Sequence, residues 1–129
     1  MSAESVLTEA ALAALRAVMA DTVNGVFDGP PVKASAPWVE LGPTIAADWG
    51  TKDTAGREVR LVLTVRDRAE RAARTHALAA AAAASIEDLP RDLPGWRIAS
   101  IAFVRARVVG ERPGDWAAQV EYQVRMLAL

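Results

Sequence analysis

The chain has 129 residues, of which 52% are apolar, a net charge of −1 and no cysteine. That length suffices for one domain with a real hydrophobic core, and the lack of cysteine excludes disulfides and thiol chemistry. Acids and bases are mixed along the chain, so no basic stripe calls for nucleic acid and no acidic tail calls for disorder. The apolar run from Leu78 to Ala84 is mostly alanine and far too short to span a membrane. Glu4 and Glu9 stand where a secretory leader would be basic, so a soluble, intracellular-type single domain over residues 1–129 is expected.

Ser2 is placed to cap a helix beginning near Ala3, with Leu7, Ala11, Leu15 and Val18 on one stripe and Leu12 and Met19 beside it. Asn24-Gly25 supplies a stop. Residues 26–37 are rich in glycine and proline and predict an ordered loop. Trp38–Leu41 predicts a short strand, and a polar stretch from Thr44 to Arg57 follows it. Glu58–Arg66 is a clear strand by alternation. Asp67, with Glu70 three residues on, matches a capping box for a second helix ending near Glu87. Ala69, Ala72, His76, Ala79 and Ala83 would share its sheet-facing stripe.

A long strand is predicted from Arg97 to Val109. Its alternation changes phase between Phe103 and Arg105, the mark of a β-bulge. Gly110–Asp115 is a hairpin connection. From Trp116 to Ala128 every second side chain is apolar, the period of a strand with one face on a core. Thirteen residues at about 3.3 Å each reach about 43 Å, whereas a compact domain of this size measures about 36 Å across. Such a sheet reaches past its own core towards a partner. The fold class predicted is α+β, a mainly antiparallel sheet of about four strands with two helices packed on one face.

Chemistry is scarce. His76 is the single histidine, so a Ser-His-Asp relay has no other base to use; its place on a small-residue stripe reads as a core histidine. Glu87, Asp88 and Asp92 straddle Pro90 near a helix C-terminus, a poor place for anionic metal ligands. No glycine-rich phosphate loop can be drawn. Arg66, Arg68, Arg71 and Arg74 cluster, but Asp67 and Glu70 among them describe an ordinary surface. Arg105 and Arg107 share a strand face and are free for cross-strand or intersubunit ion pairs. No enzyme, metal or cofactor is expected. Of four tryptophans, Trp38 and Trp116 belong to strand patterns and are expected in the core, and Trp96 covers the sheet's end. Trp49 sits in a polar loop, either as a plug or as an interface anchor.

The succession Val26-Phe27-Asp28-Gly29, Pro37-Trp38-Val39-Glu40-Leu41-Gly42, Asp48-Trp49-Gly50-Thr51-Lys52 and Gly56-Arg57-Glu58-Val59 resembles the small tail-completion family of tailed phages and gene transfer agents, which includes tail terminators. The resemblance continues through the second helix and the closing hairpin, although an alanine-rich second helix departs from the pattern. It implies a hexameric ring of copies of this chain on the head-proximal end of the tail tube. Its partners would be the tail tube protein and a head-tail connector or stopper protein, with DNA passing through the lumen without specific binding. Under that reading Trp49 is the interface anchor, with Asp48, Lys52, Asp53 and Arg112 as its polar rim. A rival reading is a small α+β ligand-binding regulatory domain that oligomerises through its sheet. A small enzyme using His76 or a carboxylate pair is the other, and it is short of candidates.

Overall fold

Strand β4 (Gly56–Arg68) and strand β7 (Asp115–Ala128) form the spine of the structure, a computed structural model that describes residues 1–129. They run antiparallel, with Val59, Leu61, Leu63 and Val65 opposite Val124, Tyr122, Val120 and Ala118. All eight are buried, so matched apolar pairs fix the register, since a slip of one residue would turn every one of them outward. Strand β6 (Trp96–Arg112) lies on the other side of β7, with register shifts at Ile98/Ser100, Phe103/Arg105 and Gly110/Arg112. The bulge expected from the phase change is therefore present, with one more on either side. Each adds twist to the sheet.

Four short strands complete a seven-stranded sheet: β1 (Val26–Asp28), β2 (Trp38–Leu41), β3 (Ile45–Asp48) and β5 (Asp92–Leu93). The order is β1-β2-β4-β7-β6-β5, and β3 pairs β4 beside β2. The β1–β2 pair is parallel, so the sheet is mixed and larger than four antiparallel strands. The polar stretch from Thr44 is not all loop, because Ile45–Asp48 folds back on Arg57–Arg60 as a hairpin.

Helices α1 (Ala3–Met19) and α2 (Ala73–Glu87) join the sheet's apolar face in one hydrophobic core. Ser2 caps α1 as expected, accepting the Ser5 N–H at 3.1 Å. Leu7, Ala11, Leu12, Leu15 and Met19 are buried, but Val18 points out and the helix stops at Met19, before Asn24-Gly25. Gly25 does not serve as a left-handed stop. A Cβ there would lie 2.4 Å from the Phe27 ring, so it is the ring's closeness that asks for glycine.

The second helix also departs from expectation. β4 continues through Asp67 and Arg68, paired with Trp116 and Asp115, and α2 begins only at Ala73 without a side-chain cap. Asp67 is not its N-cap, because its carboxylate is committed to the Arg68 N–H at 2.7 Å and to both Nε and Nη2 of Arg74. The buried face of α2 is Thr75, Leu78, Ala82, Ser85 and Ile86. An alanine on almost every face leaves little contrast to orient the helix, and the larger Leu78 and Ile86 turn inward. His76 consequently lies exposed and is not a core histidine.

Candidate functional site: the two ends of the sheet and its open face

The face of the sheet turned away from the helices carries the polar alternates of β4, β7 and β6. Its carboxylates lie low and its arginines stand over them. Glu121 receives Arg60 and, at 3.3 Å, Arg105; Glu40 receives Arg66; Glu58 receives Arg125 at 3.2 Å. The side chains of Glu40 and Glu121 are each 11% exposed, whereas Arg105 is 73% exposed. The donated Arg60 hydrogen bond, helped by the nearby Arg105 charge, holds the Glu121 carboxyl below its ordinary range. Arg105 thus finds its partner within the subunit.

At one end of this face the β3–β4 connection makes a tight, self-satisfied loop. The Trp49 N–H donates to the Gly56 carbonyl at 3.1 Å, and the Thr51 N–H to Thr54 at 2.8 Å. Asp48 accepts from the Gly50 N–H and stands 3.5 Å from Arg57. Gly56 has no room for a side chain, since a Cβ there would meet the Trp49 carbonyl oxygen at 2.8 Å. Trp49 is half-buried, with the Arg125 guanidinium 5.4 Å over its ring. The ring is docked on its own sheet and keeps an open side. Lys52 and Asp53 are exposed and have no ion-pair partner.

Arg112 does not belong to that group. It ends β6 at the opposite end of the sheet, pairing in register with Asp115, which itself faces Arg68 at the far end of β4. The thirteen residues of β4 separate the two ends by about 40 Å. The predicted rim is therefore two places.

The Arg112 end is a cleft of about 660 Å³ between the segment Ala34–Ala36, the end of β4 and the β6–β7 turn. Trp38, Arg66, Asp67, Glu111 and Trp116 also line it. Asn24 holds the first wall in place by donating to the Ser35 and Ala36 carbonyls at 3.1 and 2.9 Å. The turn is fixed by Gly114, whose φ is +82°, and by the Ala69 N–H donating to its carbonyl. The predicted basic cluster dissolves here into pairs: Arg66 with Glu40 and Glu111, Arg68 with Asp115, Arg74 with Asp67. Trp116 is half-buried and donates to the Ala69 carbonyl at 3.0 Å. Trp38, also half-buried rather than fully in the core, has a buried indole N–H with no acceptor. Sequence reasoning overlooked this cleft because its walls come from three separate stretches of chain, 34–38, 66–68 and 111–116.

β6 provides the remaining feature. Beyond Ile98 its outer edge has no partner strand, and Phe103, Val104 and Val109 are exposed along it. Phe103 packs edge-on to Tyr122 at 5.9 Å, while His76, Ala79, Ala80 and Ala83 of α2 face Ala106 and Val108 across a narrow groove. Trp96 closes the other end of this strand, donating to the Met1 carbonyl at 3.2 Å. No helix is long and apolar enough to cross a membrane.

A family model described as tail completion protein gp17 matches residues 8–127. Among solved structures, a chain from the virion of a native gene transfer agent particle superposes with a TM-score of 0.67 at 25% identity, covering 98% of this chain and 96% of that one. No curated protein matches.

Proposed function

The chain belongs to the tail completion protein gp17 family, and we propose that it is the tail terminator of a phage or gene-transfer-agent particle. In this reading six copies close into a ring on the head-proximal end of the tail tube. The ring stops tube growth, offers a docking surface to the head connector or stopper, and leaves a lumen through which DNA passes without specific binding. The likeness over nearly the whole length to a chain of a gene transfer agent virion supports a place in such a particle.

The observation that carries the ring is the uncovered edge of β6, which runs from Ala99 to Arg112 with exposed Phe103, Val104 and Val109 along it. An edge of that length invites main-chain pairing or burial by a neighbour, and ring closure removes such edges. The two separated ends of the sheet suit a part that must hold one neighbour on each side, with Trp49, Asp48, Lys52 and Asp53 at one and Arg112 at the other.

Negative-stain images of the purified protein test the assembly: rings with an open centre are expected, and compact dimers would point to a regulatory module instead. Trp49→Ala tests the anchor. It should leave the fold intact, since it gives up a cation–π contact worth about 1 kcal/mol, yet leave heads and tubes unjoined. Normal joining by that variant would remove Trp49 from the interface.

A further inference from the structure

The chain carries a net charge of only −1, but its charge is sorted by border. From Ala3 to Gly29, the stretch of α1 and β1, stand four acids, Glu4, Glu9, Asp21 and Asp28, and one base, Arg16. Along β6 stand four arginines, Arg97, Arg105, Arg107 and Arg112, and one acid, Glu111. The sheet order puts β1 at one border and the uncovered length of β6 at the other. The centre of each border is left unneutralised. Glu4, Glu9 and Asp28 meet in a recess with Ser5, Thr8 and Thr44, and no basic side chain lines it. Arg107 is exposed and makes no ion pair, while Arg105 shares Glu121 with Arg60, two guanidiniums on one carboxylate.

We propose that the acidic recess of one copy of this chain docks on the Arg105–Arg107 stretch of β6 in the next copy, so that opposite charge sets the head-to-tail order of the ring. This docking rests on the ring reading above and names the two surfaces that meet in it. Copies in a closed ring of six meet through two different surfaces, and these two have opposite sign. Pairing β6 with the β6 of another copy would instead close a two-fold dimer and set arginine against arginine, which like-charge repulsion opposes. The border opposite β6 has no strand edge of matching length: β1 has three residues, and its Val26 carbonyl is already taken by Arg16 at 2.8 Å. It answers β6 with oxygen acceptors, since every side chain lining the recess carries one, and these suit both guanidinium groups and the free N–H groups of a strand edge. Exposed apolar residues stand beside both surfaces, Phe103 and Val104 on β6 and Ile45 next to Thr44. Their burial adds to the attraction once charge has set the register.

The test is a charge swap on the full chain, read by sedimentation and by negative-stain imaging at low salt. Arg105→Glu with Arg107→Glu reverses one surface, and Glu9→Lys with Asp28→Lys reverses the other. Each double variant alone should self-associate at least about tenfold more weakly than the native chain. Melting curves should stay close to native, since all four side chains are exposed. Mixed in equal amounts, the two variants should recover native association, because each then offers the other an opposite charge on both sides. Rings of alternating copies close for an even number. Arg107→Glu alone, which breaks no ion pair, takes the place of the arginine double variant if that one fails to fold. Added salt should weaken the native association. Unchanged association of either variant, a mixture that recovers nothing, a native chain that stays monomeric at low salt, or tighter binding of a thymidine oligonucleotide than of a second copy would each overturn the proposal. The shape of the assemblies separates the two readings. Native-like rings from both reversed variants would leave the terminator standing without this contact. Open head-to-tail chains, lost in each variant and restored in the mixture, would leave the contact standing without the ring.

Discussion

At the Trp49 end of the sheet the polar groups of the connection are satisfied among neighbours in sequence; at the Trp38 end they are shared among three distant stretches of chain and the buried Trp38 indole N–H is left without an acceptor. The first end is built by local geometry, with Gly50 and Gly56 letting backbone lie on backbone and Thr51 holding the turn. The second is built by the sheet order, which brings β2, β4, β7 and β6 side by side. A locally closed loop keeps its shape whatever happens elsewhere, which suits a part that projects into a partner. A cleft assembled across the sheet is well formed only when the whole sheet is.

The largest effect expected from breaking this comparison lies at the cleft floor. The Asp67 side chain is wholly buried and holds Arg74 by both nitrogens. Asp67→Ala should cost about 3 kcal/mol, the order measured for buried charged hydrogen bonds. The Arg74 hydrogen bond, joined by the Arg68 N–H, keeps the Asp67 carboxyl below its ordinary value of 3.8. Its contribution is therefore complete above that value and disappears as pH falls through the lowered folded-state value. Urea midpoints taken across this acid range should fall for the native chain, and part of that fall should vanish in Asp67→Asn. An unchanged acid limb would show that Asp67 is not the group being titrated.

A smaller loss is expected at the other end. Gly56→Ala would place a Cβ 2.8 Å from the Trp49 carbonyl oxygen, and backbone must move to admit it. About 2 kcal/mol is expected from such overpacking, with a change confined to the Trp49 loop in amide chemical shifts. If the Trp38 end shifted as well, the two ends would not be independent.

The same division explains what was legible in the sequence. The strands around Val59–Val65, Ile98–Val108 and Ala118–Met126 are long enough for a period of two to show, and even the Phe103 bulge left its trace. β1, β3 and β5 have three, four and two residues, too few for any period, and they exist because longer strands offer them an edge. Asp67-x-x-Glu70 imitates a capping box, but its acid serves Arg74 and its backbone continues β4 opposite Trp116 and Asp115. The facing of α2 was unreadable because alanine lies on almost all sides. The polar connection itself was visible as the local run Asp48–Asp53. The cleft was not, because Trp38, Arg66, Glu111 and Trp116 meet only once the strand order is known, and the distance between Arg112 and the Trp49 loop is visible only then.

The smallest expected effect sharpens the comparison most. Within the Trp49 loop, backbone support comes from Asp48 and Thr51: Thr51 Oγ1 accepts the Asp53 and Thr54 N–H groups at 3.4 and 3.2 Å. Lys52 and Asp53 offer their side chains to solvent and hold nothing. Thr51→Ala should therefore cost about 1 kcal/mol, while Lys52→Ala and Asp53→Ala should each stay within about 0.5 kcal/mol. In the tail-joining assay the order should reverse. On the proposed terminator reading, Lys52→Ala and Asp53→Ala lower joining at full stability, whereas Thr51→Ala lowers it no further than its lost stability requires. Joining unaffected by both charge deletions would mean that the loop end contacts its neighbour through Trp49 and backbone alone.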